Sequence, residues 1–148
     1  MKQASELLHL LGYRLQLAHM LATTDARAEL EPYGLTPAKL TALLLIRDNP
    51  GCDQTTLGKA LNVNRSSAMK IVNTLAEQDL IERRPGRDLR SNALHLTTIG
   101  KTRVAEMMRA IRVSDERVAQ PLSGDERATL IALLDRVIAS QASTPGEA

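Results

Sequence analysis

The sequence of 148 residues contains no phenylalanine and no tryptophan, and its only aromatic side chains are Tyr13 and Tyr33. Nucleic-acid binders that stack bases on aromatic rings, such as RRM sheets and OB-fold grooves, are therefore excluded. The same scarcity disfavours a strand-rich fold, because aromatics are enriched in strands while Leu, Ala and Met favour helices. The one cysteine, Cys52, leaves no internal disulfide and no cysteine-based zinc site. No apolar run approaches the roughly 18 residues of a membrane span. The opening MKQASELLHLLGYRLQLAHM reads as an amphipathic helix and not as a signal peptide. A cytoplasmic protein without membrane attachment is expected. There is no Gly-rich phosphate loop, no nucleophile elbow and no paired His–Cys arrangement, so enzymatic chemistry is not expected. His9 and His19 fall on different helical faces, and no metal or cofactor is expected.

Hydrophobic residues make up 43% and charged residues 24% of the chain, a globular balance. Apolar steps of three and four through Leu7, Leu8, Leu11, Leu15, Ala18 and Leu21 predict one long helix over 4–30. Pro32 and Gly34 end it. Thr36-Pro37 forms an N-cap and first-turn proline for a second helix with Leu40, Leu43 and Leu44 inward. That helix stops at Asp48-Asn49-Pro50-Gly51. Asp53 caps a short third helix, QTTLGKAL, with Leu57, Ala60 and Leu61 inward. Asn62-Val63-Asn64 turns into a fourth helix from Arg65 to about Gln78. Two short runs, Leu80–Arg84 and Ala93–Thr97, flank PGRDLRSN and predict a β-hairpin. A helix to about Ala119 follows. Ser123-x-x-Glu126 is a capping box for a last helix with Leu130, Leu133, Leu134, Val137 and Ile138 on one stripe. The tail 143–148 is expected to be disordered. Met20, Met107 and Met108 read as core.

The fourth helix carries the functional signal. At 100° per residue from Arg65, Ala68, Ile71, Val72 and Leu75 fall between about 240° and 340°. Arg65, Ser66, Met69, Lys70 and Asn73 fall between about 0° and 140°. One face suits a core and the other carries donors for base edges and phosphates in a major groove. The net charge of +2 conceals a polarised chain: residues 55–103 hold nine basic and four acidic residues, a net of +5, and the remainder is −3. A solvated helix face explains the donors in isolation, and a protein-interaction module without DNA binding is the competing reading. The helix-turn-helix followed by a basic hairpin favours duplex DNA.

LGKALNVNRSSAMKIVNTLAEQDLIERR, the hairpin PGRDLRSNALHLTTIG with its L-T-x-x-G ending, and LSGDERATLIALLDRV together resemble the MarR family of bacterial winged helix-turn-helix transcriptional regulators. The resemblance spans residues 5 to about 140. It implies a mainly α (α+β) winged helix-turn-helix fold. Residues 1–35 and 99–142 would form a helical dimerisation region, and 36–98 the DNA-binding domain. It implies a homodimer acting on a pseudo-palindromic double-stranded operator as a ligand-responsive repressor. The family's recognition-helix donors fall on Arg65, Ser66, Ser67, Lys70 and Asn73, with Ser67 equally able to cap the helix; Arg83, Arg84 and Arg87 are either a solvated hairpin surface or supply at least one phosphate contact. In the wing, Asp88-Leu89-Arg90 matches the family's D-x-R element. Arg90 would enter the minor groove, with Asp88 holding it or serving only as a turn residue. A small-molecule effector between the dimerisation helices and the winged domain would meet His9, Tyr13, Arg14 and Tyr33, although Tyr13 equally suits a dimer interface. Gly58 stands where the family usually has Ala, which would loosen the third helix by up to about 1 kcal/mol. The reactive first-helix cysteine of the family's peroxide sensors is missing. Cys52 precedes the third helix and reads as a plain thiol, with a helix N-terminus near enough to lower its pKa.

Overall fold

The structure, a computed structural model, describes residues 5–85 and 92–142. A 3₁₀ turn, Ser5–His9, precedes α1, Leu11–Leu30. Then come α2, Pro37–Asp48; α3, Gln54–Ala60; and α4, Arg65–Glu77. The hairpin strands are β1, Ile81–Pro85, and β2, Asn92–Leu96, and the chain closes with α5, Thr98–Ala119, and α6, Gly124–Ala142. The expected single helix over 4–30 is broken at Leu10, whose φ −88°, ψ 127° is extended backbone. Nothing in the sequence marks the break, since Leu10 offers no capping side chain. The expected disorder of 143–148 lies outside the described residues.

Every α-helix after α1 starts at a side-chain cap. The Thr36 hydroxyl accepts from the Lys39 amide at 3.4 Å, with Pro37 in the first turn of α2. The Asp53 carboxylate accepts from the Thr56 amide at 2.8 Å. Asn64, which the sequence offered only as a turn residue, accepts from the Ser67 amide at 2.8 Å and starts α4. Thr97 does the same for α5, accepting from the Gly100 amide at 2.9 Å. The capping box before α6 is reciprocal: the Ser123 amide donates to Glu126 at 2.8 Å, and the Glu126 amide donates to the Ser123 hydroxyl at 3.3 Å. The tight α3–α4 turn has Asn62 at φ 52°, a left-handed conformation that asparagine tolerates.

The core is aliphatic. Leu30, Leu43, Ile46, Leu57, Val72, Leu75, Leu94, Val104 and Met107 are fully buried. They join α1, the α2–α4 unit, the hairpin and the first half of α5 around one cluster. The inward residues of α3 differ from expectation. Leu57 and Gly58 are buried, Leu61 is half-buried and Ala60 is exposed. Gly58 has a steric reason to be glycine, because a Cβ there would lie 3.0 Å from the Ala68 Cβ. Its absence lets α3 and α4 approach closely. Met107 is core and Met108 packs against it, but Met20 is exposed.

The hairpin pairs Ile81 with Leu96 through Pro85 with Asn92, antiparallel. Cys52 bridges the other edge of β2: the Gly51 amide donates to the Leu94 carbonyl and the Leu94 amide to the Cys52 carbonyl, both at 2.9 Å. The expected α6 stripe is present but uncovered. No described residue of α6 is buried, and Leu130, Ile131, Leu133, Val137 and Ile138 are all exposed within one protomer. Among the described residues no helix is long and apolar enough to cross a membrane.

Candidate nucleic-acid interface

α4 divides as its periodicity requires. Ala68, Val72 and Leu75 are buried and Ile71 is half-buried, while Arg65, Ser66, Met69, Lys70 and Asn73 are exposed. Ser67 is half-buried, with its amide committed to the Asn64 cap. The buried residues fix the helix about its axis, and a polar surface at least two turns long is left facing outward.

The hairpin is tied to that surface. An Arg83 guanidinium N–H donates to Asn73 Oδ1 at 2.5 Å. The recognition-type face of α4 and the base of the hairpin therefore share a charge-assisted bond. Arg83 and Arg65 also border one cleft of about 410 Å³ with Asp53, Thr55 and Asn92. Arg84 is held by Glu82 at 2.9 and 2.5 Å. Sequence reasoning placed Arg83, Arg84 and Asn73 together as independent contacts and missed the pairing. Residues ten apart on a helix and a strand carry no periodic signal. Arg87, Asp88 and Arg90 lie outside the described residues.

The MarR family model matches residues 33–91, which take in the second to fourth helices and the first strand of the hairpin. A Thauera aromatica protein named as a transcriptional regulator for the hcr operon is 36% identical over 137 residues, covering 91% of this chain and 82% of its own. The chain belongs to the MarR family. Among solved structures, the transcriptional repressor CouR bound to a 23-mer DNA duplex superposes with a TM-score of 0.86 at 29% identity. That match covers 93% of this chain and 99% of the CouR chain. Wild-type MarR from E. coli in its apo form superposes with a TM-score of 0.78 at 25% identity, covering 86% and 96% of the two chains. The winged helix-turn-helix fold expected from the sequence is the fold observed.

In this MarR-family chain the four expected effector residues are not brought together. Tyr33 lines a cavity of about 320 Å³ with Leu35, Gln78, Ile99, Arg103 and Met107, between the end of α1, the end of α4 and α5. The Arg103 guanidinium lies 5.9 Å from the Tyr33 ring centroid, and it also bonds Glu106 at 3.3 Å. His9, Tyr13 and Arg14 sit at the opposite end of α1, about 25 Å away along a helix rising 1.5 Å per residue. Arg14 there donates to the Leu8 carbonyl at 2.7 Å. Arg103 and Gln78 had no signal in the sequence, since only the packing of α5 on the α4 terminus sets them beside Tyr33. The Cys52 thiol is pushed up from its ordinary pKa, chiefly by burial and then by the Asp53 carboxylate. Any lowering by the nearby α3 terminus, left open beside the plain-thiol reading, is outweighed. Among the described residues no group of three His, Cys, Asp or Glu side chains could hold a metal.

Proposed function

We propose that this chain is a homodimeric repressor that binds a pseudo-palindromic DNA operator through α4 and the hairpin. The observation that carries the reading is the polar, cation-bearing face of α4, left outward by a locked apolar face and bonded through Asn73 to Arg83. Arg65, Ser66, Lys70 and Asn73 would meet base edges and phosphates in the major groove. Ser67 sits at the helix start, where a backbone phosphate would approach. Arg83, Arg84 and Arg87 would add phosphate contacts, with Arg90 in the minor groove beside Asp88. CouR, solved on a duplex, supports this reading by sharing the fold over nearly the whole chain.

Self-association follows from α6. Five aliphatic side chains on one helix remain 39–67% exposed, and covering what is left of each is worth about 1 kcal/mol. Leu130, Leu133 and Val137 line an apolar groove of about 550 Å³ together with Leu11 and Leu15 of α1. Residues 1–35 and 99–142 then form the dimerisation region and 36–98 the reading domain. The Tyr33–Arg103 cavity, set between those regions, suits an aromatic or anionic effector. The protein has no catalytic role in this scheme and acts where the chromosome is, in the cytoplasm.

The test is selection of bound duplexes from a random pool by purified protein, followed by titration against salt. Log affinity should fall steeply with log salt. Lys70→Ala should change the selected sequence and cost about 1–3 kcal/mol if Lys70 makes a bidentate base contact. A salt slope near zero would instead assign the winged domain to protein partners.

A further inference from the structure

Adjacent strand residues point to opposite faces, so Arg83 and Arg84 leave the hairpin on different sides. Arg83 borders the cleft beside α4. Arg84 borders a separate cleft of about 140 Å³ with Arg47 of α2, His95 of β2 and Lys101 of α5. The two clefts have no lining residue in common. A larger cleft of about 460 Å³ between α2 and α5 shares Arg47 and Lys101 and adds Arg109 and Arg112 over a floor of Val104 and Met108. Together they make a cationic track that starts on the back of the hairpin and climbs α5.

On α5, Lys101, Arg109 and Arg112 are at positions i, i+8 and i+11, within about 80° of one another around the helix and about 16 Å end to end. Three of the other basic residues of the last two helices are neutralised locally, while Arg136 on α6 has no carboxylate within 4.0 Å among the described residues. Arg103 pairs with Glu106, Arg117 with Asp25 and Glu29, and Arg127 with Asp115. In the track, Arg47 holds Asp48 and Arg84 holds Glu82. Lys101, Arg109 and Arg112 have no carboxylate within 4.0 Å among the described residues. A stripe of like charges left uncompensated, beside neighbours that are paired, matches a polyanion that supplies its own row of negative charge.

We propose that this track is a second DNA surface, holding phosphates of the duplex that flanks the segment read by α4 and the hairpin. The proposal rests on the DNA-binding reading above and extends its footprint outward. Continuity with the hairpin through Arg84, and the linear spacing of single charges, favour a duplex backbone over a compact ligand. Flanking DNA would run past the hairpin and turn against the side of the winged domain. Sequence there would matter only through deformability, since no base edge is read.

The experiment uses the full chain and two duplexes. One is the selected core of ~20 bp, two half-sites long, and the other is the same core with ~10 bp of unrelated sequence on each side. Wild type should bind the longer duplex at least about tenfold more tightly at low salt, with a salt slope steeper by about 2–4. R109Q/R112Q should lose that gain and bind the short duplex as wild type does. R109K/R112K, which keeps both charges, should retain the gain and shows that the folded helix is intact. K101Q provides an independent arm near the hairpin and should lose part of the gain. Equal affinity of wild type for both duplexes, or an unchanged length gain in R109Q/R112Q, overturns the proposal. Stabilisation of wild type but not R109Q/R112Q by sodium tripolyphosphate, with no effect of duplex length, overturns it in favour of a small polyphosphate. Failure of wild type to bind even the short duplex refutes the DNA-binding reading itself.

Discussion

Two glycine-to-alanine substitutions, both inside helices, should move stability in opposite directions. A Cβ at Gly100 would stand 1.9 Å from the Leu80 carbonyl oxygen and 2.9 Å from its carbon. That carbonyl is backbone, and it cannot swing aside because the Thr97 amide donates to it at 3.1 Å. Thr97 is itself pinned, its hydroxyl donating to the Asp79 carbonyl at 2.6 Å and accepting from the Gly100 amide at 2.9 Å. Overpacking of this kind costs about 1–3 kcal/mol or more, and opening the Thr97–Leu80 bond adds about 1 kcal/mol. The gain in helix propensity returns about 1 kcal/mol. Gly100→Ala should therefore destabilise the protein by about 1–3 kcal/mol or more. Gly12 has nothing within 4 Å of its would-be Cβ. Gly12→Ala should stabilise by about 0.5–1 kcal/mol, since only propensity and unfolded-state entropy change. Urea denaturation of both variants at one protomer concentration measures the difference. A Gly100→Ala midpoint within error of wild type would refute the reasoning, as would shifts of the same sign in both variants.

Asn73→Ala and Arg83→Ala should each weaken duplex binding, and the double variant should lose less than the sum of the two; strict additivity in a double-mutant cycle would show that the 2.5 Å bond plays no part in presenting either group. The Asp53 carboxyl is held below its ordinary range, first by the Thr56 amide. A depressed folded-state value means its stabilisation is complete above the usual carboxylate pKa of about 4 and is lost as pH falls through the lower folded value. Asp53→Ala should accordingly cost about 1 kcal/mol at about pH 7 and little at about pH 2, by denaturation at both. Leu133→Asp should shift the protein to monomer in sedimentation experiments, and an unchanged sedimentation coefficient would show that the α6 face is not the interface.

Most of the fold was legible because its determinants are local. Thr36, Asp53 and Ser123 announce helix starts through side chains that can reach only their own first turn. The faces of α4 follow from a period of 3.6 residues, and so does the division of its residues between core and candidate site. What escaped is what depends on distant partners. Leu10 interrupts the helix expected over 4–30 without a polar or proline signal. Ala60 has the right spacing to face inward but lies on the side of α3 away from α4, where Gly58 sets the approach. The α6 stripe is patterned for burial, and the chain alone supplies nothing to cover it. Tyr33 meets Arg103, and Asn73 meets Arg83, only because α5 and β1 pack where they do. The cationic track escaped for the same reason, since Arg47 and Arg112 are neighbours only across the α2–α5 cleft.

The junction of Asp79, Leu80, Thr97 and Gly100 also acts as a mechanical coupling. Two backbone carbonyls at the exit of α4 are fastened to the first turn of α5 with no long, flexible side chain between them to absorb a displacement. α5 is about 33 Å long at 1.5 Å per residue. If its far end is held in the helical region, a tilt of only about 5° swings its near end, and α4 with it, by roughly 3 Å. A small wedge between α1 and α5 would thereby be geared up into a shift of α4 comparable to a base-pair step, with no change inside the winged domain.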